Sequence, residues 1–236
     1  MTIKTVATRG DFLVELVDSF GSDEQICQAA RVSTVGAKAN ETKESKGLIN
    51  FLMRGRHGSP FEHGAMTFRI TAPIMVWREF MRHRIGFSYN EQSGRYMQML
   101  PVFYLPMPER PLVQAGKPGQ YQFVAGTEEQ YKVVIESHLK AYDAAWNSYI
   151  TMIDAGIANE VARTVLPVGL YSSAYVTCNP RSMMSFLSLR TRNDNAKFPS
   201  FPQWEINWVA DQLEEIFREL FPLTHDAFHT LGRVSP

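Results

Sequence analysis

One segment of the chain combines arginine, carboxylate, amide, hydroxyl and aromatic side chains within a short stretch, and it reads Met81-Arg82-His83-Arg84-Ile85-Gly86-Phe87-Ser88-Tyr89-Asn90-Glu91-Gln92-Ser93-Gly94-Arg95-Tyr96. Its arginines offer planar guanidinium groups that bind phosphate or carboxylate bidentately. The aromatic residues offer flat faces for a planar ring. This composition favours an anionic ligand that carries a ring, such as a nucleotide. Composition alone leaves a second interpretation open, a solvated basic loop whose aromatic side chains enter a nearby core.

The residues before this segment predict a strand that leads into a helix. Hydrophobic and polar side chains alternate from Met66 to Ile74, as they do in a strand with one buried face. Pro73 suits the first turn of a helix, where no backbone N–H donor is needed. The basic residues Arg82 to Arg84 would then follow the end of that helix, where the helix dipole favours positive charge. Each of these basic residues, considered by itself, could therefore have a purely structural role.

Three further segments have the periodicity of amphipathic helices. Apolar residues recur every three to four positions over 127–155 and over 204–220. Residues 11–20 also place their apolar side chains on one helical face, namely Leu13, Leu16, Val17 and Phe20. We therefore predict a helix in each segment.

The remaining patterns complete an α+β prediction. A strand is expected over 170–177, and Asn179 followed by a proline is a preferred helix start. Residues 221–236 are expected to form a short tail. The chain is predicted to be one domain over 1–236, with a central mixed or antiparallel sheet flanked by long helices.

Composition describes a globular chain without a global charge. The 236 residues are 44% hydrophobic, and 24 basic side chains balance 24 acidic ones. A balanced charge gives no overall field to recruit nucleic acid or a membrane surface, and no apolar run reaches the roughly 20 residues that span a bilayer. Cys27 and Cys178 lack CxxC spacing and the chain opens without a signal-peptide pattern, so we expect reduced thiols in a cytoplasmic protein.

The segment 55–63 contains histidines and a glutamate that could suggest a metal site. His57 and His63 are six positions apart, whereas a helical pair of ligands is four apart. No other histidine or cysteine completes a recognisable ligand pattern. The spacing therefore argues against a metal.

Two other segments place arginine beside apolar residues. Arg163 lies in the apolar run 161–167, and an arginine turned inward needs an anionic partner, which either a carboxylate or a ligand phosphate would supply. The helix that starts at Asn179 puts Arg181 on its first turn, and its free N–H groups suit an anion. Arg190 lies about 16 Å further along this helix, so its two ends can contact different parts of a ligand.

These residues carry a resemblance to a known family. Arg82-His83-Arg84, followed by Asn90-Glu91-Gln92-Ser93-Gly94-Arg95-Tyr96, resembles the signature of the flavin-dependent thymidylate synthases, the ThyX family, which is Arg-His-Arg, seven residues and then Ser. Eight residues separate Arg84 from Ser93 here, and we assign the extra one to Gly86, which tolerates unusual backbone angles. Similar elements follow the family order at Ala29–Ser33, Arg56–His63, Ala162–Pro167, Asn179–Arg190 and Gln203–Ile206.

The resemblance implies a reaction and a set of ligands. The reaction is the reductive methylation of dUMP to dTMP, with 5,10-methylenetetrahydrofolate as carbon donor, bound FAD as hydride carrier and NADPH as reductant. It also implies a homotetramer with active sites built between subunits. No enzyme nucleophile would be used, and Arg190 would be the catalytic residue that stabilises the ionised uracil.

The same resemblance assigns binding residues. Those implied for dUMP are Glu79, Arg82, Glu91, Gln92, Ser93, Gly94, Arg95, Arg163 and Arg190, where Glu79 stands at a position that is often glutamine in the family. Those implied for the flavin and folate site are His57, Ser59, Glu62, Arg82, His83, Arg84, Glu91, Asn179, Arg181 and Ser185.

Two functions from other classes compete with this one. An RNA-binding module could use the arginine and aromatic side chains of residues 82–96, but the neutral charge and the lack of an RNP-type strand motif count against it. A metal-dependent hydrolase is the third candidate, and the histidine spacing above disfavours it.

Overall fold

The structure is a computed structural model that describes residues 5–41, 43–117 and 121–236. Its helices are α1 (Asp23–Val35), α2 (Lys46–Arg54), α3 (Ile74–Phe80), α4 (Glu128–Asp154), α5 (Asn159–Ala162), α6 (Pro180–Arg190), α7 (Trp204–Leu220) and α8 (Pro222–Thr230), with 3-10 turns at Gly36–Glu41, Ser59–Glu62 and Arg163–Val165. Its strands are β1 (Ala7–Arg9), β2 (Leu13–Phe20), β3 (Ala65–Pro73), β4 (Phe87–Glu91), β5 (Val102–Tyr104), β6 (Val113–Ala115), β7 (Gln122–Val124) and β8 (Tyr171–Cys178).

The chain divides into two compact units. Unit 1 comprises residues 1–11, 72–75 and 92–172, and unit 2 comprises the remaining segments 12–71, 76–91 and 173–236. We describe each unit by itself, and the single domain expected over 1–236 stays a prediction.

A four-stranded sheet, in the order β2-β3-β8-β4, organises unit 2. β2 and β3 are antiparallel, as are β4 and β8. The alternation expected of β3 is confirmed, because Met66, Phe68 and Ile70 are fully buried. On the opposite face, Thr67 hydrogen-bonds the hydroxyl of Thr177 at 2.9 Å. The α+β prediction with a central antiparallel sheet is therefore confirmed.

The helix expected over 11–20 is wrong, because Leu13–Phe20 forms the edge strand β2. A register irregularity between Leu16 and Asp18 breaks the alternation of β2 against β3. Such a bulge adds one residue to a strand, and the shifted apolar side chains then mimic helical spacing. Residue propensity and periodicity do not distinguish a helix from a strand in this segment. The pairing with β3 decides that it is a strand.

The expected short tail over 221–236 is also wrong, since Pro222–Thr230 forms α8. Proline suits its first turn. The carboxylate of Asp23 accepts hydrogen bonds from the backbone N–H groups of Leu223 and Thr224, at 2.7 and 3.0 Å. A side chain about 200 residues away in sequence supplies the cap, so no local pattern announces this helix.

Unit 1 is built on the long helix α4. Thr127 and Gln130 form a reciprocal capping box at its start, and the helix predicted over 127–155 is confirmed. Tyr142, Trp146 and Tyr149 on one face enter a core with Phe103 of β5, and the ring of Tyr142 stacks on that of Phe103. β1 pairs with β5 in parallel, and β6 pairs with β7 as a hairpin.

None of the helices in the described part of the chain is long and apolar enough to cross a membrane. Among the same residues, no three His, Cys, Asp or Glu side chains are grouped as metal ligands would be.

Candidate active site

The last residue of α6, Arg190, lies within unit 2 between two side chains that follow β3 in sequence. Its Nη1 donates to Glu79 Oε2 at 2.6 Å, and its Nε donates to His83 Nε2 at 2.9 Å. The Arg190 side chain is only 17% exposed. Its Nη2 also donates to the backbone oxygen of Glu79 at 3.4 Å. A guanidinium held at all three nitrogen atoms in a largely dry position is oriented before any ligand arrives.

His83 is a neutral acceptor in this arrangement. Burial and, to a smaller extent, the positive charge of Arg190 lower its pKa from the usual 6.5 to about 4, although the charge of Glu79 acts in the opposite direction. Because Nε2 accepts the hydrogen bond from Arg190, the proton of the neutral ring lies on Nδ1. The rings of His83 and Phe186 pack edge to face, with their centroids 4.9 Å apart.

The start of α6 is joined to the arginine-rich segment. Asn179 caps the helix by accepting from the N–H of Ser182 at 2.8 Å, and the Ser182 hydroxyl donates to the carbonyl of Ile85 at 3.0 Å. Gly86 has a φ of 68°, and a Cβ atom there would lie 2.0 Å from Ser182 Oγ. Gly86, to which we assign the extra residue of this loop, therefore has a conformation and a neighbour that both require glycine.

Arg181, on the first turn of α6, is already paired. Its Nη1 donates to Glu62 Oε1 at 2.5 Å and its Nε donates to the backbone oxygen of Pro236 at 2.8 Å. His57, from the same loop as Glu62, stacks on Phe51. Two residues expected at the flavin site, Arg181 and Glu62, are thus brought together.

Arg82 and Arg84 are exposed, and neither forms an ion pair within the described residues. Tyr89, which the sequence offered as a flat face for a ligand, instead has a structural role. Its hydroxyl donates to the carbonyl oxygens of Phe80 and His83, at 3.0 and 2.7 Å, and burial raises its pKa. It fixes the turn from which Arg82 and Arg84 project.

A second group of expected residues lies in unit 1. A side chain at Gly94 would come within 3.2 Å of Arg163 Cδ and 3.1 Å of Met99 Sδ, so the arginine packs directly on the glycine backbone. Arg95 Nε pairs with Glu160 Oε1 at 3.0 Å. Where the structure describes the chain, no carboxylate pairs with Arg163.

The expected site residues therefore fall into two groups. Unit 2 holds Glu79, Arg82, Glu91, Arg190 and all of the flavin residues, and unit 1 holds Gln92, Ser93, Gly94, Arg95 and Arg163. Glu91 lies in β4 opposite Ala174, and Ser185 is exposed on the second turn of α6.

Sequence reasoning missed one residue of the unit 1 group. Glu160 forms an ion pair with Arg95. The sequence feature that could have indicated it is its position in a short helix, three residues before Arg163. A carboxylate at the start of a helix is favoured by the helix dipole in any case. The sequence therefore could not distinguish this structural role from a role as the partner of an arginine.

The residues expected at the flavin fit the chemistry of FAD. Its diphosphate is anionic, and the exposed guanidinium groups of Arg82 and Arg84 are suited to bind phosphate oxygens. The flavin ring needs hydrogen-bond donors and acceptors, which Ser59, Asn179 and Ser185 can provide.

Comparison with known proteins identifies the family. The family model described as thymidylate synthase complementing protein matches residues 15–223. A flavin-dependent thymidylate synthase of Streptomyces coelicolor is 54% identical over 98% of this chain and 96% of its own length, and one of Tropheryma whipplei is 54% identical over 96% and 95%.

Solved structures agree. The UMP/dUMP methylase PolB of Streptomyces cacaoi bound with 5-Br dUMP is 49% identical, with a TM-score of 0.93 over 98% of this chain and 100% of that one. Its complex with 5-Br UMP gives a TM-score of 0.91 at the same identity and coverage. The chain belongs to the flavin-dependent thymidylate synthase family.

Proposed function

We propose that this protein methylates dUMP reductively to dTMP in the cytoplasm, with FAD as cofactor and 5,10-methylenetetrahydrofolate and NADPH as co-substrates. Bound FAD supplies the hydride chemistry, and the protein contributes binding, orientation and electrostatics. Arg82, His83, Arg84, Asn179, Arg181 and Ser185 would hold the cofactor, together with His57, Ser59, Glu62 and Glu91.

The observation that carries the proposal is the state of Arg190. Ionised uracil bears negative charge on its ring, and a fixed guanidinium in a site with little water stabilises such charge by several kcal/mol. The neutral imidazole of His83 orients Arg190 without neutralising it, whereas Glu79 does neutralise part of its charge. The uracil anion would therefore share Arg190 with Glu79.

The second part of the proposal is that no enzyme nucleophile takes part. Burial raises the pKa of both Cys27 and Cys178, and both thiols are buried. A thiol kept protonated is a poor nucleophile. The Sγ of Cys27 also accepts a hydrogen bond from the N–H of Ser45 at 3.3 Å.

The third part concerns the phosphate and sugar of dUMP. Arg163 is suited to the phosphate, because it lies against the Gly94 backbone without an acidic partner in the described ranges. Gln92, Ser93, Gly94 and Arg95 would complete the contacts. We further propose a homotetramer whose active sites combine residues from different subunits.

Turnover by a protein without cysteine tests the proposal. We expect Cys27→Ala/Cys178→Ala protein that has been loaded with FAD to form dTMP when given dUMP, methylenetetrahydrofolate and NADPH. Wild-type protein that forms no dTMP would refute the activity itself. A folded, FAD-loaded double variant that is inactive beside an active wild type would refute only the absence of a nucleophile.

A further inference from the structure

The residue after Arg190 is held by a side chain that comes from beyond α8. Thr191 ends α6 in an extended conformation, with φ −107° and ψ 138°. Its hydroxyl donates to the carbonyl of Leu187 at 2.7 Å and accepts from Arg233 Nη2 at 2.5 Å. Thr191 is only 4% exposed, so these two hydrogen bonds, rather than water, hold its hydroxyl.

Arg233 is itself fixed on all sides. It is 5% exposed, although a charged side chain is seldom buried without a partner. Nη1 and Nη2 donate to the two oxygens of Glu214, each at 2.6 Å, and the guanidinium lies over the ring of Phe228 at 4.9 Å. Its backbone has a φ of 57°, which is unusual for a residue with a side chain.

Such a conformation persists only where its surroundings impose it, and such positions cluster at functional sites. Glu214 strengthens the constraint. Burial would raise the pKa of Glu214, but hydrogen bonds from Arg233 and His225 outweigh burial and lower the pKa to about 2. The carboxylate is therefore charged at neutral pH and keeps Arg233 in its bidentate arrangement.

We infer that Arg233, held by Glu214, is a positioning residue for Arg190 and acts through the hydroxyl of Thr191. The inference rests on the function proposed above, because Arg190 is the group that would bind the uracil anion. The side chain of Arg190 is oriented by Glu79 and His83, while its backbone is fixed from the other side by Thr191. Loss of either constraint lets the guanidinium shift, and small displacements of catalytic groups are costly.

The substitution Thr191→Val tests this with little other change. Valine has the shape of threonine and tolerates the extended backbone. Both hydrogen bonds between Arg233 and Glu214 remain, so no buried charge loses its counter-ion. Thr191→Ser restores the hydroxyl. Thr230→Val is the matched control, because the Thr230 hydroxyl donates to the carbonyl of Asp226 at 2.8 Å within α8, away from α6.

The readout is a titration of each FAD-loaded protein with dUMP, followed by flavin absorption, together with the FAD content and the melting temperature. We expect Thr191→Val to raise the dUMP dissociation constant about 10-fold, because a misplaced catalytic group costs up to ~100-fold. FAD content should stay at the wild-type value. Thr191→Ser and Thr230→Val should lie within about 2-fold of the wild type.

Any of the following three outcomes would overturn the inference. If wild-type protein binds dUMP and Thr191→Val binds it equally well, Arg233 has only a structural role. The same conclusion follows if FAD content and the melting temperature fall together with dUMP binding and serine does not rescue. If the wild-type protein neither binds dUMP nor forms dTMP, the proposed function fails first, and the inference fails with it.

Discussion

At the scale of single residues, the neutral His83 beside Arg190 makes stability depend on pH. Its pKa is lowered to about 4 in the folded protein, whereas the usual value is 6.5. Between these values the unfolded chain binds more protons than the folded one, so the free energy of unfolding falls as the pH is lowered from 6.5 to 4.

Replacing His83 with asparagine removes the titrating group and keeps an acceptor for the Nε of Arg190. We expect the urea midpoint of the wild type to decrease more than that of His83→Asn between pH 6.5 and 4, and the two to run parallel above pH 6.5. Parallel curves over the whole range would mean that His83 is not held neutral.

The sequence identified the arginines of the site but not the partners that orient them. Arg163 stood out because a charged side chain in an apolar run needs an anion, whereas Arg190 stood out by its place at the far end of the helix and by the family resemblance. That Arg190 meets His83, 107 residues away, depends on tertiary packing and leaves no local pattern. For Tyr89 the sequence left two roles open, a flat face for a ligand or packing within the protein, and the structure shows that its hydroxyl closes a turn.

At the scale of elements, the start of α6 distinguishes a structural role from a binding role for Asn179. Asparagine and aspartate cap helices equally well, whereas alanine costs about 1 kcal/mol. If Asn179 also contacts the flavin, an added carboxylate should repel the phosphates of FAD. We expect Asn179→Asp to keep the stability of the apoprotein and to lose FAD, as measured by urea unfolding and by flavin content.

Ser22→Ala is the control for the loss of a helix cap in another helix. Ser22 caps α1 by accepting a hydrogen bond from the N–H of Gln25 at 3.3 Å. It should lower stability by about 1 kcal/mol and leave the flavin content unchanged. Full flavin content in Asn179→Asp would limit Asn179 to capping.

Elements with strong local signals were predicted well, and elements defined by distant partners were not. α4 has a capping box and a long apolar stripe, and β3 alternates without a break. β2 contains a bulge and α8 is capped by Asp23 from far away in sequence. Gly86 lies between these cases, because the sequence marked it as the extra residue and only the structure shows its contact with Ser182.

At the scale of the whole molecule, the proposed sharing of active sites between subunits can be tested by mixing two impaired proteins at a dUMP concentration far below saturation, where the weaker dUMP binding of Arg163→Ala also lowers its turnover. Arg163→Ala and Arg190→Ala chains each lack one residue of the site. If each site takes Arg163 and Arg190 from different subunits, random mixed tetramers should recover about a quarter of the wild-type turnover, because one pairing in four has both arginines. No recovery after unfolding and joint refolding would place both residues of a site in one subunit.

The central claim is that these arginines bind a pyrimidine nucleotide beside a flavin, and a dUMP titration followed by the flavin absorption bands tests it most directly. We predict yellow wild-type protein whose bands shift with dUMP. In Arg163→Ala the dissociation constant should rise ~10-fold or more, because a hydrogen bond to a charged group is worth about 1.5–3 kcal/mol. Lys132→Ala, which changes an exposed residue of α4, should match the wild type. Protein that binds no flavin, or Arg163→Ala protein with the wild-type dissociation constant, would contradict the account.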